Sequence, residues 1–112
     1  MILIATLSLN AHVHAAAGYV SGAGKLDCKS LRAELKQQTI SEAAFQQWLL
    51  GYFSGSNVAY GQRSKRGDVN TGATLLSGAL AERVLAKCSA QPDQLVSVAA
   101  DEVYSELRQM NQ

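Results

Sequence analysis

Between Phe45 and Asn57 the chain places its only tryptophan, both of its phenylalanines and one of its four tyrosines. Phe45, Trp48 and Leu49, Tyr52 and Phe53, and Tyr60 recur at steps of three and four. That spacing gathers side chains on one wide apolar face of an α-helix. Little aromatic bulk lies elsewhere in the sequence, so this helix is the element that the rest of the chain has to cover. Gly51 and Gly55 sit one turn apart on it. With no Cβ at either position, close approach of another backbone is expected there, as packing within a soluble domain rather than as membrane dimerisation.

The flanking segments repeat the helical period. Asp27 is a candidate N-cap for a first helix whose face carries Cys28, Leu31 and Leu35, and which ends at Lys36-Gln37-Gln38. Thr39-Ile40-Ser41-Glu42 has a hydroxyl followed three residues later by a glutamate, the capping-box pattern, and opens the central helix. That helix is expected to run to about Tyr60 or Gly61. Arg63 to Asn70 is a polar, charged break with the character of a surface loop.

A third helix is expected over Thr71 to Lys87, with Leu76, Leu80 and Val84 leading to Cys88. Pro92 is the only proline and suits the first turn of a last helix carrying Leu95, Val96, Ala99, Val103, Leu107 and Met110 on one face. No strand pattern and no internal repeat competes. The expected fold is all-α, a small bundle of about four helices.

Residues 2–9 form a short apolar run, too short to span a membrane. Small residues suited to signal-peptidase cleavage follow, Val13-His14-Ala15 or Ala15-Ala16-Ala17. The expected organisation is a signal peptide over 1–17 and one helical domain over 18–112, its glycine-rich start at 18–26 a flexible mature N-terminus. Export to an oxidising compartment would make Cys28 and Cys88 a disulfide staple; a cytosolic chain would keep two buried thiols.

Loss of the leader would take His12 and His14, the only histidines, with it. Such a chain has no Ser-His or Cys-His pair and no His-zinc site, and no cofactor is implied. Asp101, Glu102 and Glu106 are a candidate acid/base or metal cluster, but only Glu102 and Glu106 share a helix face, and a solvated surface is the simpler reading. Arg63, Lys65 and Arg66 beside Tyr60 form a small basic patch that could meet an anionic partner or headgroup, or simply solvate a loop. Ten Lys and Arg against nine Asp and Glu is too even for a dedicated nucleic-acid binder.

The same balance gives the domain one physical property. Between pH 7 and about 5 its charge changes little; near pH 4 and below the carboxylates protonate and ten cations remain. Mutual repulsion then loosens the core, and apolar surface appears on a soluble, cationic chain.

Three stretches carry a family resemblance: Cys28-Lys29-Ser30-Leu31, Trp48-Leu49-Leu50-Gly51-Tyr52-Phe53-Ser54-Gly55, and Val84-Leu85-Ala86-Lys87-Cys88-Ser89-Ala90-Gln91-Pro92. In order and spacing they resemble the HdeA/HdeB family of small periplasmic acid-stress chaperones over roughly residues 28–108. The resemblance implies an all-helical periplasmic fold with a Cys28–Cys88 disulfide and non-enzymatic, ATP-independent client binding in acid. Phe45, Trp48, Leu49, Tyr52 and Phe53 would then be core that becomes client-binding surface. The expected partner is an unfolded or specific protein, a homodimer is one possible assembly, and neither nucleic acid nor stable membrane insertion is expected. Gly51-Tyr52-x-x-Gly55 with Gln91-Pro92 also looks like the Tai-type immunity proteins of type VI secretion. That resemblance would imply a specific interface for a peptidoglycan-amidase effector.

Overall fold

The computed structural model describes residues 22–112, so the expected signal peptide and the cleavage positions lie outside the described residues. Four α-helices follow a short 3-10 turn at Gly22–Lys25: α1 (Cys28–Gln37), α2 (Glu42–Ser64), α3 (Ser77–Ala90) and α4 (Val96–Gln109). The all-α bundle and its disulfide are as the sequence led one to expect. Cys28 and Cys88 are bonded, with their Cα atoms 5.0 Å apart and both side chains fully buried. The bond closes a separation of 60 residues, which by chain entropy restricts the unfolded state by about 4 kcal/mol.

Helix α1 starts because the Asp27 carboxylate accepts from the backbone N–H of Ser30 at 2.7 Å. It stops at Gln38, whose left-handed backbone (φ 63°) turns its N–H back onto the carbonyls of Glu34 and Leu35. The capping-box assignment at Thr39 is corrected: Ser41 is the N-cap of α2, and its hydroxyl accepts from the N–H of Ala44. Thr39 instead turns back to Glu34, donating to its backbone carbonyl and its carboxylate. Helix α2 also runs one turn further than Gly61, so Arg63 and Ser64 belong to its end rather than to the loop. Lys65, left-handed at φ 58°, closes it with an N–H to the carbonyl of Gly61.

The third helix begins at Ser77, six residues later than Thr71. The reason is local. Gly72 is left-handed (φ 85°), and a Cβ there would lie 2.7 Å from the Phe53 ring. The chain therefore turns against Phe53 before it can wind into α3, and Leu76 rather than a hydroxyl precedes the first turn. Pro92 is likewise not in the first turn of α4, which begins at Val96. Its carbonyl accepts from Lys29 N–H at 2.8 Å.

That contact is part of a seam between the entries of α1 and α4. Gln94 carbonyl accepts from Cys28 N–H (2.8 Å), Leu26 carbonyl accepts from Val96 N–H (2.9 Å), and Asp27 faces Leu95 in an isolated antiparallel bridge. The seam, with the disulfide beside it, fixes residues 22–27 on the bundle, where Gly22 lies against the Trp48 ring. For these residues the expectation of a free N-terminus is corrected. The core is a single cluster. Leu31, Phe45, Leu49, Leu80, Val84, Val96, Val103 and Leu107 are all at or below 1% exposed. Each such side chain contributes about 1.5–3 kcal/mol through removal from water.

Candidate functional site

Helix α2 presents two contrasting faces, and both follow from steps of four along it. The inner row is Phe45, Leu49, Phe53, Asn57 and Gly61; all but Asn57 are buried, and Asn57 is half-buried. Phe53 meets the Tyr104 ring edge-on at 5.4 Å and 72°. Trp48 and Tyr52 flank this row, half-buried, with their rings 5.1 Å apart. Tyr52 Oη donates to the carbonyl of Ser97 at 3.3 Å. Burial and, secondarily, the Asp101 carboxylate hold its phenol above the usual 10.0, so it stays a donor. The five aromatic and leucine positions of the expected site are thus together on α2. Phe45, Leu49 and Phe53 are full core, and Trp48 and Tyr52 sit at its rim.

No other described residue covers the outer face. Leu50 and Val58 are 37% and 61% exposed, and nothing lies within 4 Å of a Cβ built on Gly51 or Gly55. Among the described residues the expected close packing at these two glycines is not found: they face outward, along with Ser54, whose hydroxyl turns inward to the Leu50 carbonyl at 2.7 Å. This face carries no charge from Leu50 to Val58.

Between α1, α2 and α3 lies a groove of about 580 Å³ with Leu35, Phe45, Ala81 and Leu85 as its apolar walls. Lys36, Glu42 and Glu82 stand at its edge. Helix α1 forms one wall, yet buries only Cys28 and Leu31. It is the element most weakly held by apolar packing and most dependent on its covalent link to α3.

The charged candidates divide among separate contacts. Arg66 pairs with Asp68 at 3.4 Å, both well exposed, and Arg63 lies 5.7 Å from the centre of the Tyr60 ring. Lys65 is the cap residue of α2. Glu106 is bonded to Lys87, which raises the Lys87 pKa above its usual 10.5, and Glu102 accepts from Gln94 at 3.5 Å. Among the described residues no group of three or more His, Cys, Asp or Glu is placed to hold a metal ion. Among the described residues no helix is long and apolar enough to cross a membrane.

Asn57 was not among the expected site residues. Its Oδ1 accepts from Thr71 N–H (3.1 Å) and from Tyr104 Oη (2.8 Å), and its Nδ2 donates to the Thr71 carbonyl (3.2 Å). One amide thereby ties the 65–76 connection to α2 and α4. Its place four residues after Phe53, on the apolar face, is the sequence signal that could have found it. Arg108 was also missed as a site residue; its guanidinium lies over the Tyr60 ring, 4.3 Å from the centroid. No family model, curated protein or solved structure matches this chain.

Proposed function

We propose that this chain is an exported, periplasmic, non-enzymatic protein-binding domain that captures unfolded clients, without ATP, when acid loosens its bundle. The observation that carries the reading is the groove beside Phe45. Its walls are apolar, two of the three charged groups at its edge are the carboxylates of Glu42 and Glu82, and one wall is the lightly packed α1. Acid removes those two charges. Strong acid also neutralises the Asp27 cap that starts α1, whose carboxyl the Ser30 N–H holds below its usual 3.8. With all carboxylates neutral, ten Lys and Arg repel one another. Helix α1 then swings away from Phe45 but stays tethered through Cys28, and the inner row of α2 becomes client-binding surface. No histidine lies in residues 22–112, so nothing in the domain triggers this opening near neutral pH.

Light scattering of an acid-sensitive client at about pH 2–3, with and without the oxidised protein, tests the reading. Suppressed aggregation that coincides with a red shift of Trp48 emission supports it. Unchanged aggregation with native Trp48 emission sinks it.

The uncovered face of α2 favours one second reading, a periplasmic immunity or inhibitor protein. Leu50, Gly51, Ser54, Gly55 and Val58 would seat a partner at neutral pH, and the partner would be a peptidoglycan amidase. Titration calorimetry at pH 7 against an amidase encoded beside this chain's gene separates the two: tight binding there, with no client protection in acid, selects the second.

A further inference from the structure

Where the end of α2, the 65–76 connection and the end of α4 meet, they enclose a cleft of about 530 Å³. Tyr60, Arg66, Asp68, Asn70, Arg108 and Asn111 are among its walls. Arg66 already has a partner, Asp68. Arg108 has none. Among the described residues its guanidinium makes no hydrogen bond and no ion pair, and its Nε is buried with no acceptor. It is nonetheless held in place, with its carbon 4.3 Å from the Tyr60 ring centre and 6.0 Å from that of Tyr104. Tyr104 is itself fixed, because its hydroxyl donates to Asn57.

Ring contacts of this kind use the flat face of a guanidinium and leave its in-plane N–H edge for an acceptor. An arginine in the last turn of a helix commonly bonds the final carbonyls. Among the described residues Arg108 does not, so its N–H groups stay unmet, and the residue is one of those lining the cleft. A buried donor without an acceptor is unfavourable, and a planar oxyanion meets the guanidinium fork with paired bonds. Arg66, Asp68 and Arg108 supply the charged side chains of the cleft, and Gln112 lines it as well, its main-chain oxygen accepting from Gly72 N–H at 2.7 Å.

We infer that this cleft is a binding site for the carboxylate of a small organic acid, with Arg108 as its anchor and the Asn70 and Asn111 amides as flanking donors. The volume accommodates a ligand of a few to some tens of non-hydrogen atoms, within the usual range of small-molecule sites. The site is independent of acid opening and is occupied at neutral pH, where both guanidinium and carboxylate are charged.

The test is a titration of the isotope-labelled, oxidised protein at pH 7 with sodium acetate and sodium succinate. Sodium chloride and sodium phosphate at matched ionic strength are the controls, followed by the arginine Nε–Hε and backbone resonances. Saturable shifts at Arg108 Nε–Hε and at Asn111 with acetate and succinate, absent with chloride, are expected. Arg108→Lys keeps the charge but loses the fork, and should weaken succinate binding by at least about tenfold. Should that variant fold poorly, Asn111→Asp places a like charge in the cleft and should weaken binding several-fold at unchanged stability. Shifts that match those of chloride, equal affinity in the variants, or saturable binding of phosphate alone would overturn the assignment.

Discussion

Replacing Asn57 by alanine removes one side chain and breaks three hydrogen bonds. Two of them serve Thr71, which is only 8% exposed, so its N–H and carbonyl cannot be rehydrated without moving the connection. The third leaves the Tyr104 hydroxyl without its acceptor. Each net bond is worth about 0.5–1.5 kcal/mol, and a stranded buried group costs about 1–3 kcal/mol. Because the 65–76 connection can lift to find water, the sum settles near 2–3 kcal/mol. In a domain of this size that lowers Tm by about 10–20 °C. Urea unfolding followed by far-UV circular dichroism and Trp48 fluorescence measures it. Tyr104→Phe should cost only about 0.5–1.5 kcal/mol, and the double variant should cost less than the two singles added, because both delete the same bond. A loss below about 0.5 kcal/mol for Asn57→Ala, or full additivity with Tyr104→Phe, would refute the clamp.

Gly51→Ala and Gly55→Ala should each stabilise the isolated protein by about 0.5–1 kcal/mol, since nothing surrounds either Cβ position; destabilisation in urea melts would mean that the face is packed. Reduction of Cys28–Cys88 should remove about 4 kcal/mol, read from urea curves with and without reductant, each extrapolated with its own slope, the reduced protein having the steeper one. The Ser30 backbone N–H, chief among its partners, holds the Asp27 carboxyl below its usual 3.8. A lowered folded pKa means that this contribution is complete above about pH 4 and is lost as the pH falls through the folded value. Asp27→Asn keeps the cap but cannot titrate, so it should flatten the acid side of the stability profile measured by urea melts at successive pH values.

Period and cysteine count carried most of the fold. The four-step row of Phe45, Leu49 and Phe53 is visible in the sequence because the inner face of a long helix needs it. Cys28 and Cys88 open and close apolar faces that had to meet. The misplacements have one physical source, namely that local signals are settled by contacts distant in sequence. Thr71 offered a good helix start, yet its backbone is held by Asn57 and the next residue is turned against Phe53. Thr39 and Ser41 are both competent caps, and the left-handed Gln38 decides which of them faces α2. Gly51 and Gly55 suggested close packing, but the helix is rotated so that Phe45, Leu49 and Phe53 face inward and these two glycines outward. The seam joining residues 26–29 to 92–96 is made of backbone groups and leaves no pattern in side chains. Arg108 resembled any polar residue off the apolar face, because its setting depends on Tyr60 arriving from another helix.

On the proposed mechanism, acid and not a change near neutrality opens this bundle around its aromatic row while the disulfide holds it together. Trp48 emission and near-ultraviolet circular dichroism of the oxidised protein, recorded from pH 7 to pH 2, test that most directly. The expected result is flat signals down to about pH 5, then a red shift and loss of tyrosine ellipticity centred at about pH 4 or below, with much of the far-ultraviolet helix signal retained. Native emission and ellipticity persisting to pH 2, or a transition above about pH 6, would contradict it.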